Sequence, residues 1–258
     1  MLDDLAAILR QAGRILLDRR ASGAFTFQRT GASVHASVDI EVHDFLARAL
    51  SGLSAGVPVL SEEDAGSQRD PRPEKYWLID PLDGTASFIE GYTGFVTQAA
   101  LIRGRRPILA GVHAPALDET FLAEAGAGAL HNGLRCGVTV RREEQWTMTD
   151  NYPTPQGVAA DLMHVLRVTR YLECGSIGLK ICRVADGTAD IFVKDVTIRD
   201  WDVAAPQLVL EEAGGTLRDA TGDQFPYVGA FEHRGLIACV SPDAARRIAR
   251  WLNKREES

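Results

Sequence analysis

The 258-residue sequence holds only four cysteines, Cys136, Cys174, Cys182 and Cys239, and no two form a CxxC pair. That usage argues against a disulfide framework or a zinc ribbon and for buried, reduced thiols in a cytoplasmic protein. No apolar run approaches the length of a membrane span. The N-terminus, MLDDLAAILRQAGRILLDRR, lacks the charged-then-apolar order of a signal peptide. No repeat or low-complexity tract is present. Positive charge is short as well: 28 Lys and Arg stand against 35 Asp and Glu, a net charge of −7 with a pI of about 5.4. A nucleic acid polymer asks for a basic face, so that partner class is disfavoured. A small anion is not, because metal ions can reverse the local sign of an acidic site.

The remaining composition is that of a globular chain, 45% hydrophobic and 24% charged, long enough for one large domain or two smaller ones. Leu5, Ile8, Leu9, Ala12, Ile15 and Leu16 are spaced for an amphipathic helix over 3–19. Phe25 to Ser37 reads as a hairpin or loop. Ser37 then caps a second helix with Val38, Val42, Phe45, Leu46 and Leu50 along one stripe. A short strand over Val57 to Leu60 precedes the polar, proline-broken loop SQRDPRPEK, and 76–79 is a second strand. VTQAALIRG and RPILAGVHAP form an antiparallel pair joined through Arg103-Gly104-Arg105-Arg106, and ETFLAEAGAGALHNG continues the meander. Gln145 to Pro155, polar and with two prolines, marks the expected boundary between an N-terminal half, 1–145, and a C-terminal half, 146–258. Beyond it the pattern predicts helices over 157–170 and 175–186, a strand at TADIFV, and a helix WDVAAPQLVLEEAG closed by Gly214-Gly215. A strand LIACVS and a last helix, PDAARRIARWLNKRE, complete the chain. Strand runs with helices in both halves predict an α+β layered sandwich rather than a strict βαβ series.

The chemistry is carried by acids. Glu62-Glu63-Asp64, Asp80, Asp83 and Asp200-Trp201-Asp202 all stand where a strand meets a loop or a helix begins. In WLIDPLDGTASF an apolar strand runs into Asp80, and Asp83 follows across Pro81. Hard cations such as Mg²⁺ take oxygen ligands, and two of them about 3.5–4 Å apart clamp an in-line displacement at phosphorus. Such a clamp needs one bridging carboxylate and others that hold each ion separately. Pro81 fixes φ and stiffens the turn, so both aspartates can converge. The Leu82 carbonyl adds an oxygen, Gly84 lets backbone approach a ligand, and Thr85 offers a hydroxyl to orient water. Singly, each piece has a plainer use: Asp-Gly as a turn, Ser-Glu-Glu-Asp as an acid patch, Trp-Asp as a cap. It is their joint occurrence that points to a metal site.

LSEED, WLIDPLDGT and WDVAAPQLVLEEAGG resemble the signature set of the inositol monophosphatase-like family of Mg²⁺-dependent phosphatases, over nearly the whole chain. The resemblance implies an αβαβα sandwich of the sugar-phosphatase type. It also implies hydrolysis of a small phosphate monoester with two or three Mg²⁺ ions, and inhibition by Li⁺. By motif position, Glu62, Asp80, Leu82, Asp83 and Asp202 resemble the metal ligands, with Asp80 bridging and Asp83 and Asp202 on the second ion. Glu62 and Thr85 resemble the pair that prepares the attacking water, and Gly84 and Thr85 sit where the phosphate is met. Asp39, in Ser37-Val38-Asp39, matches the acid that supports a third ion. One departure is plain. Family members carry a lysine in the loop before the second helix, whereas TFQRTGASVHAS has only Arg29 and His35. KYWLIDPLDGTASFI, RPILAGVHAP and CGSIGLKICRVADGTADIFV look most like the 3′(2′),5′-bisphosphate nucleotidases, which act on adenosine 3′,5′-bisphosphate. In that group a Gly-Ser…Lys stretch, here Gly175, Ser176 and Lys180, helps hold the nucleotide; a packed helix start would use the same residues. An inositol or other sugar-phosphate or specialised nucleotide phosphatase is the alternative. An inactive binding protein would be expected to have lost a ligand, and Glu62, Asp80, Asp83 and Asp202 are all present. A homodimer is left open.

Overall fold

The structure is a computed structural model that describes residues 1–30, 33–68, 71–139, 141–142, 145–151 and 153–256. The N-terminal periodic stretch forms α1 (Leu2–Ser22). A hairpin of β1 (Phe27–Thr30) and β2 (Ser33–Ala36) leads directly into α2 (Ser37–Leu53). The side chains of Arg29 and His35 lie outside the described residues. Ser37 does not cap α2 as its sequence position suggested. It is the first helical residue, its hydroxyl accepts from the Thr26 N–H (3.0 Å), and Asp39 reaches back to accept from Ala36 N–H (2.8 Å).

Seven strands follow in a sheet whose spatial order is the chain order: β3 (Val59–Ser61), β4 (Lys75–Asp83), β5 (Val96–Arg103), β6 (Arg106–Ala114), β7 (Glu119–Glu124), β8 (Gly128–His131) and β9 (Leu134–Cys136). Only β3 and β4 run parallel in it. A six-residue helix, α3 (Thr85–Glu90), leaves from the end of β4. Gly104 and Arg105, at φ 55° and 70°, make the two-residue turn between β5 and β6, whose left-handed backbone matches strand twist. The β4 strand runs further than its apolar core, through Pro81 to Asp83, with a register slip between Asp80 and Asp83. The proline is tolerated because β3 ends opposite Ile79, so on that side no partner strand asks for its missing N–H.

The second sheet has the order β11-β10-β12-β14-β13. Its strands are β10 (Thr147–Asp150), β11 (Arg170–Glu173), β12 (Ile191–Arg199), β13 (Thr216–Arg218) and β14 (Glu232–Cys239), and α4 (Gly157–Leu166), α5 (Ile177–Ala185), α6 (Asp200–Glu212) and α7 (Pro242–Glu256) accompany them. The helix expected over 157–170 stops at Leu166. Arg167 turns left-handed at φ 55°, and Arg170–Glu173 pairs in parallel with β10 instead. The strand β13 carries no sequence signal of its own; it forms because β14 offers it an edge.

Alternation along β4 and β5 sets the layers, since neighbouring side chains of a strand face opposite ways. Trp77, Ile79, Ala99 and Leu101 pack with Leu9, Leu16, Val42 and Leu46 of α1 and α2. Tyr76, Leu78, Ala100 and Ile102 join the larger cluster with Leu179, Trp201 and Leu208 of α5 and α6 and with Ile191 and Leu236 of the second sheet. Helices α4 and α7 complete the αβαβα order against the five-stranded sheet. The expected boundary at 145–155 contains β10 itself, so the second sheet begins within it, and the apolar cluster between the two sheets is continuous. No helix among the described residues is long and apolar enough to cross a membrane.

Candidate active site

The acids singled out in the sequence stand at the ends of elements, most of them held by local hydrogen bonds and Asp83 by the start of a distant helix. The loop after β3 is braced around Ser61. Its hydroxyl accepts from Glu63 N–H (3.2 Å) and lies 2.9 Å from His43 Nδ1, and Gln68 Nε2 donates to the carbonyls of Ser61 (2.9 Å) and Glu62 (3.0 Å). That fixes the backbone on which Glu62 stands. Asp80 folds over its own turn and accepts from Leu82 N–H (3.0 Å). Thr85 Oγ1 donates to the Leu82 carbonyl (3.1 Å), leaving that oxygen one lone pair. Asp83 accepts from Ile177 N–H (3.2 Å) and Gly178 N–H (2.6 Å), so it sits on the positive N-terminus of α5. Asp202 accepts from Arg199 N–H (2.8 Å) at the start of α6.

These carboxylates feel one another. Burial, and then the charges of Glu62, Asp83, Asp202 and Asp39, push the Asp80 carboxyl well above its ordinary range. Burial and the Asp83 and Glu62 charges do the same to Asp202. Burial pushes Asp39 up to about 7, with Glu63 and Glu62 adding to it. Asp83 is raised by burial, opposed by the Gly178 amide and the Lys180 charge. A cluster of this kind is relieved by protons or by cations. The oxygen-only donor set suits a hard divalent ion, and Asp39 Oδ1 is buried with no hydrogen-bond partner. Among the described residues no three acids already stand in an ion-gripping group; Asp39, Asp80, Asp83 and Asp202 each accept from a backbone N–H.

The residues expected from the sequence to meet the substrate converge beside them. Gly84, at φ 90°, turns the chain out of β4; a Cβ there would meet Ser176 Cβ at 3.0 Å. The approach of Gly175 to the Gly94 carbonyl is closer still, and a Cβ on it would lie 1.9 Å from that oxygen. Ser176 caps α5, its Oγ accepting from Leu179 N–H (3.1 Å), while its own N–H donates to Gly94 O (2.6 Å). Lys180 is 1% exposed, donates to Asn151 Oδ1, and holds its ammonium 5.0 Å over the Phe192 ring. Burial, with the Lys194 charge, lowers Lys180 to about 8. Asp83, Gly84, Ser176 and Lys180 border one cavity of about 480 Å³, which Asn151, Tyr92 and Lys194 also line. Sequence reasoning missed Lys194 and Asn151. Lys194 sits four residues beyond Asp190 in a strand whose length was underestimated, and Asn151 was assigned to an inter-half linker; neither has a local motif.

Acids that cannot all stay charged in one another's company, beside a cavity with two lysines, suit cation-assisted chemistry on a phosphate ester. Comparison with known proteins makes the class definite: residues 2–257 match the inositol monophosphatase family, and the chain belongs to it. It is therefore a phosphoric monoester hydrolase, and members of the family depend on Mg²⁺ in general. The chain is 30% identical to the 3′(2′),5′-bisphosphate nucleotidase CysQ of Aggregatibacter actinomycetemcomitans, over 88% of this chain and 87% of that one. It is also 30% identical to the fructose-1,6-bisphosphatase/inositol-1-monophosphatase of Thermotoga maritima, over 86% of each. The structure of a Thermotoga maritima inositol monophosphatase superimposes with a TM-score of 0.83 at 25% identity, covering 98% of both chains.

Proposed function

We propose that the protein removes the 3′-phosphate of adenosine 3′,5′-bisphosphate. The observation that supports this reading is the reach of the cavity, which begins at Asp83 and Gly84 and ends at Lys180 and Lys194. A substrate with a second phosphate must have that charge met away from the acid cluster, or its desolvation goes uncompensated. Lys180, bonded to Asn151, and Lys194, ion-paired with Asp150, supply the match, and the exposed ring of Tyr92 adds an apolar wall for a base.

In this reading Glu62, Asp80, the Leu82 carbonyl, Asp83 and Asp202 would hold the Mg²⁺ ions. Asp39, which feels the charges of Glu63 and Glu62, would support a further ion. Such ions, when bound, supply Lewis acidity to the attacking water and to the phosphoryl oxygens. The residues of the chain do the positioning. Glu62 accepts the proton of the water and Thr85 Oγ1 orients it, with Leu82 O fixing the hydroxyl's rotamer. The bare backbone of Gly84 lets the phosphoryl group approach. The Ser176 cap and Lys180 hold the leaving nucleotide so that the broken bond lies in line.

A phosphate-release screen tests it, with adenosine 3′,5′-bisphosphate, inositol monophosphates, fructose 1,6-bisphosphate and AMP compared at saturating Mg²⁺. The nucleotide bisphosphate should give the highest kcat/KM. A higher value for an inositol monophosphate would replace this reading with the inositol one, and a higher value for fructose 1,6-bisphosphate would keep the second-phosphate site but change its leaving group.

A further inference from the structure

The loop between β3 and β4 sends one side chain deep into the molecule. Arg72 is 3% exposed at its side chain and pairs through Nη1 with Asp200 Oδ2, a carboxylate with no exposure at all. The other arm of the guanidinium donates to the carbonyls of Gly229 (3.0 Å) and Ala230 (2.9 Å). Its plane lies over the Phe231 ring, 3.7 Å from the centroid. Nη1 also reaches the Tyr76 hydroxyl on β4 (3.4 Å). The second oxygen of Asp200 takes a hydrogen bond from His233 Nε2 on β14 (2.6 Å), and Asp200 N–H donates to Phe231 O (2.9 Å). Both oxygens of a fully buried aspartate are thus satisfied by residues 128 and 33 positions away in the chain.

Placement gives this cluster its meaning. Asp200 is the first residue of α6, and Asp202 follows two residues later in the same turn. Arg72 belongs to the connection that carries Glu62 at one end and enters β4, with Asp80 and Asp83, at the other. One guanidinium therefore ties the strand pair bearing Glu62, Asp80 and Asp83 to the helix start bearing Asp202. Among the described residues two further contacts join the same elements: Gln98 of β5 donates to Trp201 O (3.0 Å) and Asp202 O (3.3 Å), and Arg199, whose N–H Asp202 accepts, pairs with Glu62 (3.8 Å).

We propose that Arg72, acting through Asp200, is a positioning residue that sets Asp202 at the spacing from Asp80 and Asp83 needed to close around a divalent cation. This rests on the assignment of Asp202 to the metal site. Neither Arg72 nor Asp200 touches the acid cluster directly, so the effect travels through the first turn of α6. Lysine cannot reproduce the contact, since a single ammonium cannot reach the carboxylate and two carbonyls while stacking on a ring.

The test is calorimetric titration of Mg²⁺ into metal-stripped protein without substrate, with circular dichroism to establish folding. Arg72→Met should bind Mg²⁺ about tenfold more weakly or worse, the scale seen when a group behind a metal ligand is removed. Arg72→Lys should fall between it and the wild type. The double variant with Asp200→Asn should lose no more than the worse single variant, because both act on one element. Any folded Arg72 variant with wild-type Mg²⁺ affinity overturns the proposal, even if it melts earlier, because Arg72 is then only a stability contact. Should Arg72→Met fail to fold, the Arg72→Lys and Asp200→Asn chains decide by the same measurement. Asp202→Asn is the control. If it too binds normally, the metal-site reading fails and the positioning role with it; if it alone loses Mg²⁺, only the role of Arg72 is lost.

Discussion

At the scale of single residues, Asp83 combines two tasks that a substitution can separate. Its oxygens accept two N–H groups of α5 while its charge faces the acid cluster. Asn has the same outline but only one accepting oxygen, so Asp83→Asn leaves one α5 amide unpaired at a cost of about 1–3 kcal/mol, offset by relief of a buried charge, and its Tm should move little. Its kcat should drop by orders of magnitude, because the charge that would hold the second ion is gone. Asp202→Asn should lose kcat alike, and the double variant should lose little more than either one, since in the proposed reading both act on one ion. Additive losses in steady-state kinetics would sink the shared-ion assignment. Lys180 makes the opposite trade. Burial holds it at about 8 against the ordinary 10.5. Between those values the folded protein binds fewer protons than the unfolded chain, so the charged lysine costs stability at pH 7. Lys180→Met should therefore raise Tm. It should also raise KM for adenosine 3′,5′-bisphosphate roughly tenfold or more, one charge-assisted contact of about 1.5–3 kcal/mol, and leave inositol monophosphate nearly unchanged. In the wild type the same KM should climb as pH rises through about 8, where the ammonium is lost. An equal KM penalty for both substrates would make Lys180 structural.

At the scale of elements, the start of α5 is where the two sheets meet over the site. The strap at Gly94 is bonded to Ser176 and pressed against Gly175, and the first amides of α5 hold Asp83. Gly175→Ala puts a methyl 1.9 Å from a backbone oxygen that has no flexible side chain to yield. The helix start must retreat, at a cost of about 1–3 kcal/mol. As it retreats, Gly178 N–H leaves Asp83. Both Tm and kcat/KM should fall together, and thermal melts with initial-rate assays will show it. A Gly175→Ala protein with wild-type kcat/KM would mean that α5 does not position Asp83.

At the scale of the whole molecule, the acid cluster makes stability depend on pH and on cations. Asp39 binds a proton up to about pH 7 when folded but only to its ordinary 3.8 when unfolded. In that window the native state holds more protons, so the stability of the metal-stripped protein should fall as pH rises from about 4 to 7, where the share owed to Asp39 is complete. Asp39 alone contributes at most about 4 kcal/mol to that loss, and Asp80 and Asp202 shift in the same direction. Mg²⁺ should reverse it by binding the ionised native state, so the gain in Tm on adding Mg²⁺ should be larger at pH 8 than at pH 5.5. A gain independent of pH would show that the ion is not held by these carboxylates.

The amino-acid sequence determined the parts of this protein whose causes are local. The amphipathic period of α1, the hairpin turn at Gly104-Arg105, the apolar run into Asp80-Pro81-Leu82-Asp83 and the family motifs around it are each written in a few consecutive residues, where spacing and turn chemistry act. Tertiary structure decided what local rules cannot reach. Arg170–Glu173 became a strand because β10 offered an edge to pair with, overriding the helical stretch before it. Ser37 lost its capping task to Asp39 because the neighbouring hairpin claimed its hydroxyl. Lys194 and Lys180 face one cavity only because β12 and α5 are stacked beside each other, and Arg72 finds Asp200 across 128 residues of chain. A side chain's partner across that distance is set by which strands neighbour each other and how the layers pack, and no run of consecutive residues contains that information.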